Sequence, residues 1–449
     1  MTQSLDQLTA RLLDAARKAG ADAADAIAVN GTSVSIDVRG GALEQAERSE
    51  GIDIGLRVFV GQRQANVSAS DNRDATIQTM AERAVAMARE APEDPNAGLA
   101  EADQLATDLD TARLEMFDPT DEPDPEALQR DATEAEAAAL AVKGVTQVQS
   151  ASAGYSRRQV HLAATNGFSG GYERSDRGLS CVVISGSGSG MERDYDYDSR
   201  IFQSDLRSAT DIGTRAAMRA VERHGARKPK TGTYPVLYDE RVANTLVGHV
   251  LAAINGNMIA RGSSWLRGAL GEQILPKGMA IVEEPHRARA SASRLFDAEG
   301  LPTARRMIVD ENGVLTGWTL DLASGRKLGM PSTANAARGT SSGPSPSVTN
   351  IALPQGQQSR EDHVRDMGTG LLFTSLIGST INPNTGDYSR GASGFWVENG
   401  QIAYPVNECT VAGNLREMLM KMTAANDAQA HLSRVVPSIL IEGMMLAGA

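Results

Sequence analysis

Apolar positions along the chain follow two periods. Ile52, Ile54, Leu56, Val58 and Val60 alternate with other residues, the period of a strand buried on one face. Leu5, Leu8, Leu12 and Leu13 recur at helical spacing among charged residues. Ile77, Met80, Ala81, Ala84, Val85 and Ala88 do the same, behind capping candidates at Asp71 or Asp74. Asn30-Gly31 is a short-range hairpin signal. Residues 1–91 therefore read as helix, several strands, helix: one α+β unit.

The pattern recurs over residues 125–226. Glu47-Arg48-Ser49-Glu50 matches Glu173-Arg174-Ser175-Asp176 at an offset of 126 residues, where Val34 also meets Val160, Ile36 meets Leu162 and Gly41 meets Gly167. After a one-residue insertion, Ile52, Ile54 and Leu56 meet Leu179, Cys181 and Val183. Such a match implies one supersecondary unit used twice; the alternative is chance likeness between two amphipathic hairpins. Residues 92–124 lie between the copies, carry Pro119 and Pro123, and read as an acidic, solvated connector. A second boundary falls at Arg227-Lys-Pro-Lys-Thr-Gly232. Residues 227–449 then open with a helix over about 239–255 and continue as Gly-rich strand-and-loop sequence, a mainly antiparallel β domain. The fold class is α+β, with a helix–antiparallel sheet–helix unit repeated twice before that domain.

Aromatic residues make up only 4% of the chain, so its cores must be built from Ala, Val, Ile, Leu and Met. The net charge of −12 is concentrated in residues 92–136, which hold 15 acidic and 2 basic residues. The remainder is near neutral and carries no basic footprint of a nucleic-acid binder. No apolar run approaches the roughly 20 residues of a membrane-spanning helix, and the first residues lack the apolar block of a signal peptide. Cys181 and Cys409 are the only cysteines, far apart in a long chain, which fits a reducing compartment. A cytoplasmic protein is expected.

Chemistry-bearing signals are few. His249 lies at the edge of the apolar stripe Val242, Leu246, Val247, Val250, Leu251 and Ile254, with no second histidine on that helix. A packed histidine and a metal ligand are both open readings. His161, His224, His286, His363 and His431 are scattered, and neither cysteine has a partner at ligand spacing. Gly186-Ser-Gly-Ser-Gly190 is followed by no helix start, so it is not a phosphate loop. The densest unusual stretch spans residues 367–405, where Asn399-Gly400 predicts a hairpin. Its glycines suit either a site that holds an extended peptide by main-chain hydrogen bonds or a tightly turned sheet with no ligand.

Gly51-Ile-Asp-Ile-Gly-Leu-Arg-Val-Phe59, followed by Ala65-Asn-Val-Ser-Ala69, resembles the N-terminal signature of the TldD/PmbA family. The resemblance continues through Gly248-His249, Arg261-Gly-Ser-Ser264 and Phe296-Asp-Ala-Glu-Gly300. It is strongest at Met367-Gly-Thr-Gly-Leu371 and at Thr385-Gly-Asp-Tyr-Ser-Arg-Gly-Ala-Ser-Gly-Phe-Trp-Val-Glu-Asn-Gly400. It covers nearly the whole chain, and the segment 386–391 points to the PmbA (TldE) branch.

The resemblance implies one of two homologous subunits of a cytoplasmic peptidase. The TldD-type subunit carries the helix motif His-Glu-x-x-x-His and a late cysteine as metal ligands. Laid on this chain, the motif ends at His249, its first His falls on Asn244 and its Glu on Thr245; Ser433-Arg-Val-Val-Pro-Ser-Ile-Leu440 offers no cysteine. The resemblance therefore implies no catalytic residue and no metal here, with zinc or a similar metal in a TldD-like partner. Gly386, Asp387, Tyr388, Ser389, Arg390 and Gly391 are the expected peptide- or partner-binding residues. The rival readings are a stand-alone metallopeptidase using His249, Asp387 and a partner group, and a chaperone-like peptide binder. A homodimer is the alternative assembly of the isolated chain. The family's older name, modulator of DNA gyrase, finds no support in the charge pattern.

Overall fold

Leu8, Leu12, Ala15 and Ala16 form one stripe of the first helix, and all four are buried. They must therefore face a sheet, and the computed structural model, which describes residues 4–448, supplies it. The first unit runs α1 (Leu5–Lys18), β1 (Ala23–Arg39), β2 (Ala42–Val60), β3 (Arg63–Ala69), α2 (Asp74–Glu90). The second runs α3 (Pro125–Leu140), β4 (Val145–Ala164), β5 (Ser169–Ser185), β6 (Glu192–Arg200), α4 (Ala209–Glu222). Both are antiparallel meanders with the same strand order, so the repeated unit is present. The two meet edge to edge through β1 and β4, from Asp25↔Ala164 to Val38↔Ala151. The result is one six-stranded sheet in the order β3-β2-β1-β4-β5-β6.

Alternation along β1 decides how this sheet is covered. Ala24, Ala26 and Ala28 pack under α1 and α2, whereas Val34, Ile36 and Val38 pack under α3 and α4. One strand thus serves both helix pairs on one face. Three expectations are corrected here. Asn30-Gly31 is no hairpin but mid-strand, because pairing with β2 and with β4 on either side overrides a local turn preference. The turn is Gly40-Gly41, with φ of 63° and 74°. The Glu136 carboxylate of α3 accepts both their amide N–H groups, at 2.6 and 2.7 Å. The offset of 126 also sets Val34 against Val160, yet Val34 faces the helices and Val160 the opposite face; a one-residue slip inverts a strand's faces. Asp71 accepts from the Arg73 amide, and neither it nor Asp74 is the N-cap of α2.

The acidic stretch 92–124 is seated on the protein. Leu114 and Met116 are buried with Ile27, Val160 and Leu162 on the sheet's other face, together with Leu295 and Phe296 of the C-terminal region. Asp118, almost fully buried, accepts the Gln203 amide at 2.8 Å. Most other acids of the stretch are exposed, while its few apolar residues fill a seam.

The C-terminal region begins with β7 (Gly232–Tyr238), α5 (Glu240–Ala253) and α6 (Gly256–Arg261). Short strands β8 (Ile281–Glu283), β9 (Arg306–Val309), β10 (Ala336–Ala337), β11 (Ser345–Pro346) and β12 (Ile351–Ala352) follow. Then come β13 (Gly370–Ile381), β14 (Asp387–Glu398), β15 (Gln401–Asn414), β16 (Met422–Ala424), β17 (Arg434–Val435) and β18 (Ile439–Ala447). The main sheet is ordered β15-β14-β13-β7-β18-β16, and an extra β15–β18 pairing closes it on itself. Val242, Leu246, Val247, Val250 and Ile254 of α5 pack in its core against Tyr238, Phe373, Tyr388 and Trp396. The region docks on the N-terminal sheet through Asp25, whose carboxylate takes Arg57 and Arg338, all three buried. No helix among the described residues is long and apolar enough to cross a membrane.

Candidate functional site

Helix α5 starts at Asp239, whose side chain accepts the Arg241 amide, and its apolar stripe fixes its rotation in the closed sheet. That rotation sends the three positions of the degenerate motif to different places. Asn244 lines a cavity of about 400 Å³ with Tyr197, Asp198, Arg241, Arg360 and His431. Thr245 donates its hydroxyl to the Val242 carbonyl at 2.7 Å. His249 turns towards β14, its ring 5.9 Å from that of Tyr388 and edge-on to it.

The environment of His249 is unfavourable to positive charge. Its Nε2 is buried without a hydrogen-bond partner. Burial first, and the Arg390 charge second, lower its pKa to about 4. A divalent cation there would have a phenol and a guanidinium for company, with Asn244 and Thr245 directed elsewhere. The set does not fit a zinc site, which needs three or four convergent nitrogen, sulfur or carboxylate donors. Among the described residues no group of three or more His, Cys, Asp and Glu side chains converges to hold a metal. Cys181 and Cys409 are buried, their thiols pushed up to about 12 and about 11 by burial, so both stay protonated and packed.

Strand β14 brings the other flagged segment alongside. Regular pairing with β15 from Asp387↔Asn414 to Ala392↔Cys409 puts Tyr388, Arg390 and Ala392 on the face towards α5. Tyr388 is buried and accepts a hydrogen bond from the Tyr238 hydroxyl at 3.3 Å. Asp387 lies on the opposite face, exposed. Its carboxylate accepts from Thr385 Oγ1 at 2.6 Å and Asn414 Nδ2 at 3.2 Å, bonds that hold its pKa below the ordinary carboxylate value. An Asp387–Arg390 pair therefore does not form, nor does a metal set of His249 with Asp387.

The glycines of β14 serve the sheet. A Cβ on Gly391 would lie 3.0 Å from the Ile377 carbonyl oxygen, one on Gly394 1.9 Å from that of Leu372, and one on Gly386 3.4 Å from the Trp265 ring. β14 is paired on both edges, so its main chain is already used. Trp396 is buried core, 4.9 Å edge-on to Tyr234, with its indole N–H on Glu398. The side chains that remain to act are Arg390, Tyr388 and, across from them, His249.

Sequence reading did not find the charged seam beside Asn244. Asp194, Asp196 and Asp198 alternate on β6 and meet Arg207, Arg219, Arg223 and Arg241. The signal was present in the alternating acids after Arg193 and in Arg215, Arg219 and Arg223 at helical spacing. Tyr238 was also missed, since only the β7–β13–β14 pairing brings it to Tyr388.

Comparison with known proteins accounts for the whole arrangement. The profile of the PmbA/TldA metallopeptidase domain 1 matches residues 24–88, that of the central domain residues 118–223, and that of the C-terminal domain residues 231–448. Metalloprotease PmbA of Escherichia coli O157:H7 is 35% identical over 428 residues, covering 95% of this chain and 92% of that protein. The Metalloprotease PmbA homolog of Haemophilus influenzae is 38% identical over 451 residues, covering 99% and 96%. A Bacteroides thetaiotaomicron protein named a modulator of DNA gyrase superposes with a TM-score of 0.92 at 25% identity, over 100% of both chains. TldE of Thermococcus kodakarensis shares the fold, with a TM-score of 0.85 at 20% identity over 98% of this chain and 100% of that one. With three consecutive family domains, relatives alike over nearly their full length and the same fold, this chain belongs to the PmbA/TldD metallopeptidase family.

Proposed function

We propose that this chain is the metal-free subunit of a cytoplasmic two-chain peptidase. It pairs with a TldD-like subunit that supplies zinc or a similar metal, and it helps hold an unfolded or extended peptide for cleavage there. The observation that carries the reading is the state of the motif on α5. Asn244 lines a cavity with Arg241 and Arg360, Thr245 is bonded to its own helix, and His249 is a half-buried neutral imidazole beside a cation. None of the three can generate a metal-bound hydroxide or take a proton from water near neutral pH. TldD homologs of Buchnera aphidicola and Haemophilus influenzae match about half of this chain at 23% and 24% identity, so the two chain types share ancestry in these domains.

A peptide-holding role is supported by β13. Its pairing with β7 ends at Phe373, while pairing with β14 continues to Ile381, so one edge of the strand's second half has no partner strand among the described residues. Such an edge accepts an extended chain by main-chain hydrogen bonds. The test is co-expression with the TldD-like subunit of the same organism, then elemental analysis of each purified chain and an assay on an unstructured polypeptide. The expected result is co-purification, metal in the TldD-like chain only, and cleavage by the pair. Stoichiometric metal bound by this chain alone would refute the reading.

A further inference from the structure

Arg390, half-buried, stands apart from the paired arginines of the interior. Arg57 is paired with Asp25, Arg177 with Asp131 and Arg306 with Glu283. Arg390 makes no hydrogen bond or ion pair with any described residue, and its Nε is buried. Its surroundings carry no counter-charge. The groups acting on His249, Tyr238 and Tyr388 are burial, the two phenols and Arg390 itself, with no carboxylate among them. Tyr238 and Tyr388 share a hydrogen bond, with the Met444 sulfur as a further acceptor for Tyr238, so the two phenols satisfy each other and offer Arg390 no charge. Burying the Nε–H of a guanidinium without a partner costs free energy that pairing would recover. Arg390 is thus a donor awaiting an acceptor beside α5.

We infer that Arg390 receives a carboxylate of the extended peptide. This rests on the peptide-holding reading above and adds the chemistry of recognition. A guanidinium presents two parallel N–H groups that match the two oxygens of a carboxylate, a geometry a lysine cannot offer. The carboxylate belongs either to the peptide's C-terminus or to an Asp or Glu side chain. His249, held neutral, forms an uncharged wall and leaves the guanidinium as the only charge. Arg390 is a positioning residue: it fixes where the peptide lies and takes no part in bond cleavage.

The experiment uses the full chain and three fluorescein-labelled probes, read by anisotropy. They are pentaalanine with a free C-terminus, its C-terminal amide, and Ala-Ala-Glu-Ala-Ala amide. Wild type should bind at least one carboxylate-bearing probe about tenfold or more tightly than the amide. The free-acid and glutamate probes identify the source of the carboxylate. Arg390→Gln should abolish the discrimination without lowering the thermal midpoint, because the residue it replaces has no partner to lose. Arg390→Lys should keep part of the discrimination. Equal binding of all three probes, or discrimination unchanged in Arg390→Gln, overturns the inference and leaves peptide holding intact. No binding of any probe overturns both. Loss of co-purification with the TldD-like subunit in Arg390→Gln, without peptide discrimination in wild type, overturns it in favour of a carboxylate on the partner.

Discussion

At the scale of single residues, the two motif positions Asn244 and Thr245, one tyrosine and one glycine give sharp expectations. Asn244→His with Thr245→Glu rebuilds the sequence motif, but Asn244 lines the cavity beside Arg241 and Arg360 while His249 faces Tyr388 with a cation beside it. Metal affinity measured by competition with a chelator should rise only modestly; a tight stoichiometric site would show that the helix can supply the geometry by itself. Tyr388→Phe removes the acceptor of the Tyr238 hydroxyl and should cost about 1 kcal/mol in denaturant unfolding. Gly391→Val drives a branched side chain into the Ile377 carbonyl and should destabilise the fold by roughly 1–3 kcal/mol. That variant reports on the sheet, and Arg390 is the better probe of binding. The candidate residues drew attention in the sequence: His249 stood at the edge of an apolar stripe, and residues 386–391 stood out by composition. Their roles were not, because a glycine that admits a ligand and one that admits a neighbouring strand look alike until the pairing is known.

At the scale of elements, the period of the apolar positions carried most of the information. The stripe of α5 is where the pattern puts it, since burial of one face leaves a direct trace in sequence. By contrast β2, expected to be buried on one face, is buried on both from Ile54 to Phe59, because the C-terminal region covers Gly55 and Arg57. What failed was non-local. Asn30-Gly31 has the local preference of a turn, yet β1 is held straight by partners on both sides, one of them more than a hundred residues away. The true turn is stabilised from the second unit, where Glu136 accepts two amides. Glu136→Ala should therefore cost about 2–3 kcal/mol, an effect far larger than a surface carboxylate normally carries. Thermal unfolding of that variant unchanged from wild type would show that water replaces the carboxylate at the turn. The meeting of His249 with Tyr388 and Arg390 was equally invisible, because it depends on the closure of the C-terminal sheet.

At the scale of the whole molecule, buried acids couple the fold to pH. Burial first, and Asp297 second, push the Glu299 carboxyl up to about 8; burial first, and Asp239 second, push Glu240 up to about 7. Both groups bind a proton more tightly folded than unfolded, so the stability they contribute is present at low pH and lost as pH rises through those values. From about pH 6.5 to about pH 8.5 the thermal midpoint should fall, and Glu299→Gln should flatten the slope. An unchanged slope in that variant would place the titration elsewhere. The shared sheet has its own consequence. Residues 1–91 expressed alone would leave Val34, Ile36 and Val38 uncovered, since α3 and α4 are what bury them. The central claim, that this chain holds peptide for a metal centre in another subunit, is tested most directly by reconstitution. Degradation of one unstructured polypeptide is followed with this chain alone, with the TldD-like subunit alone and with both. The account predicts cleavage that needs the TldD-like subunit, is abolished by chelation and is enhanced by this chain. Chelator-sensitive cleavage by this chain alone would contradict it.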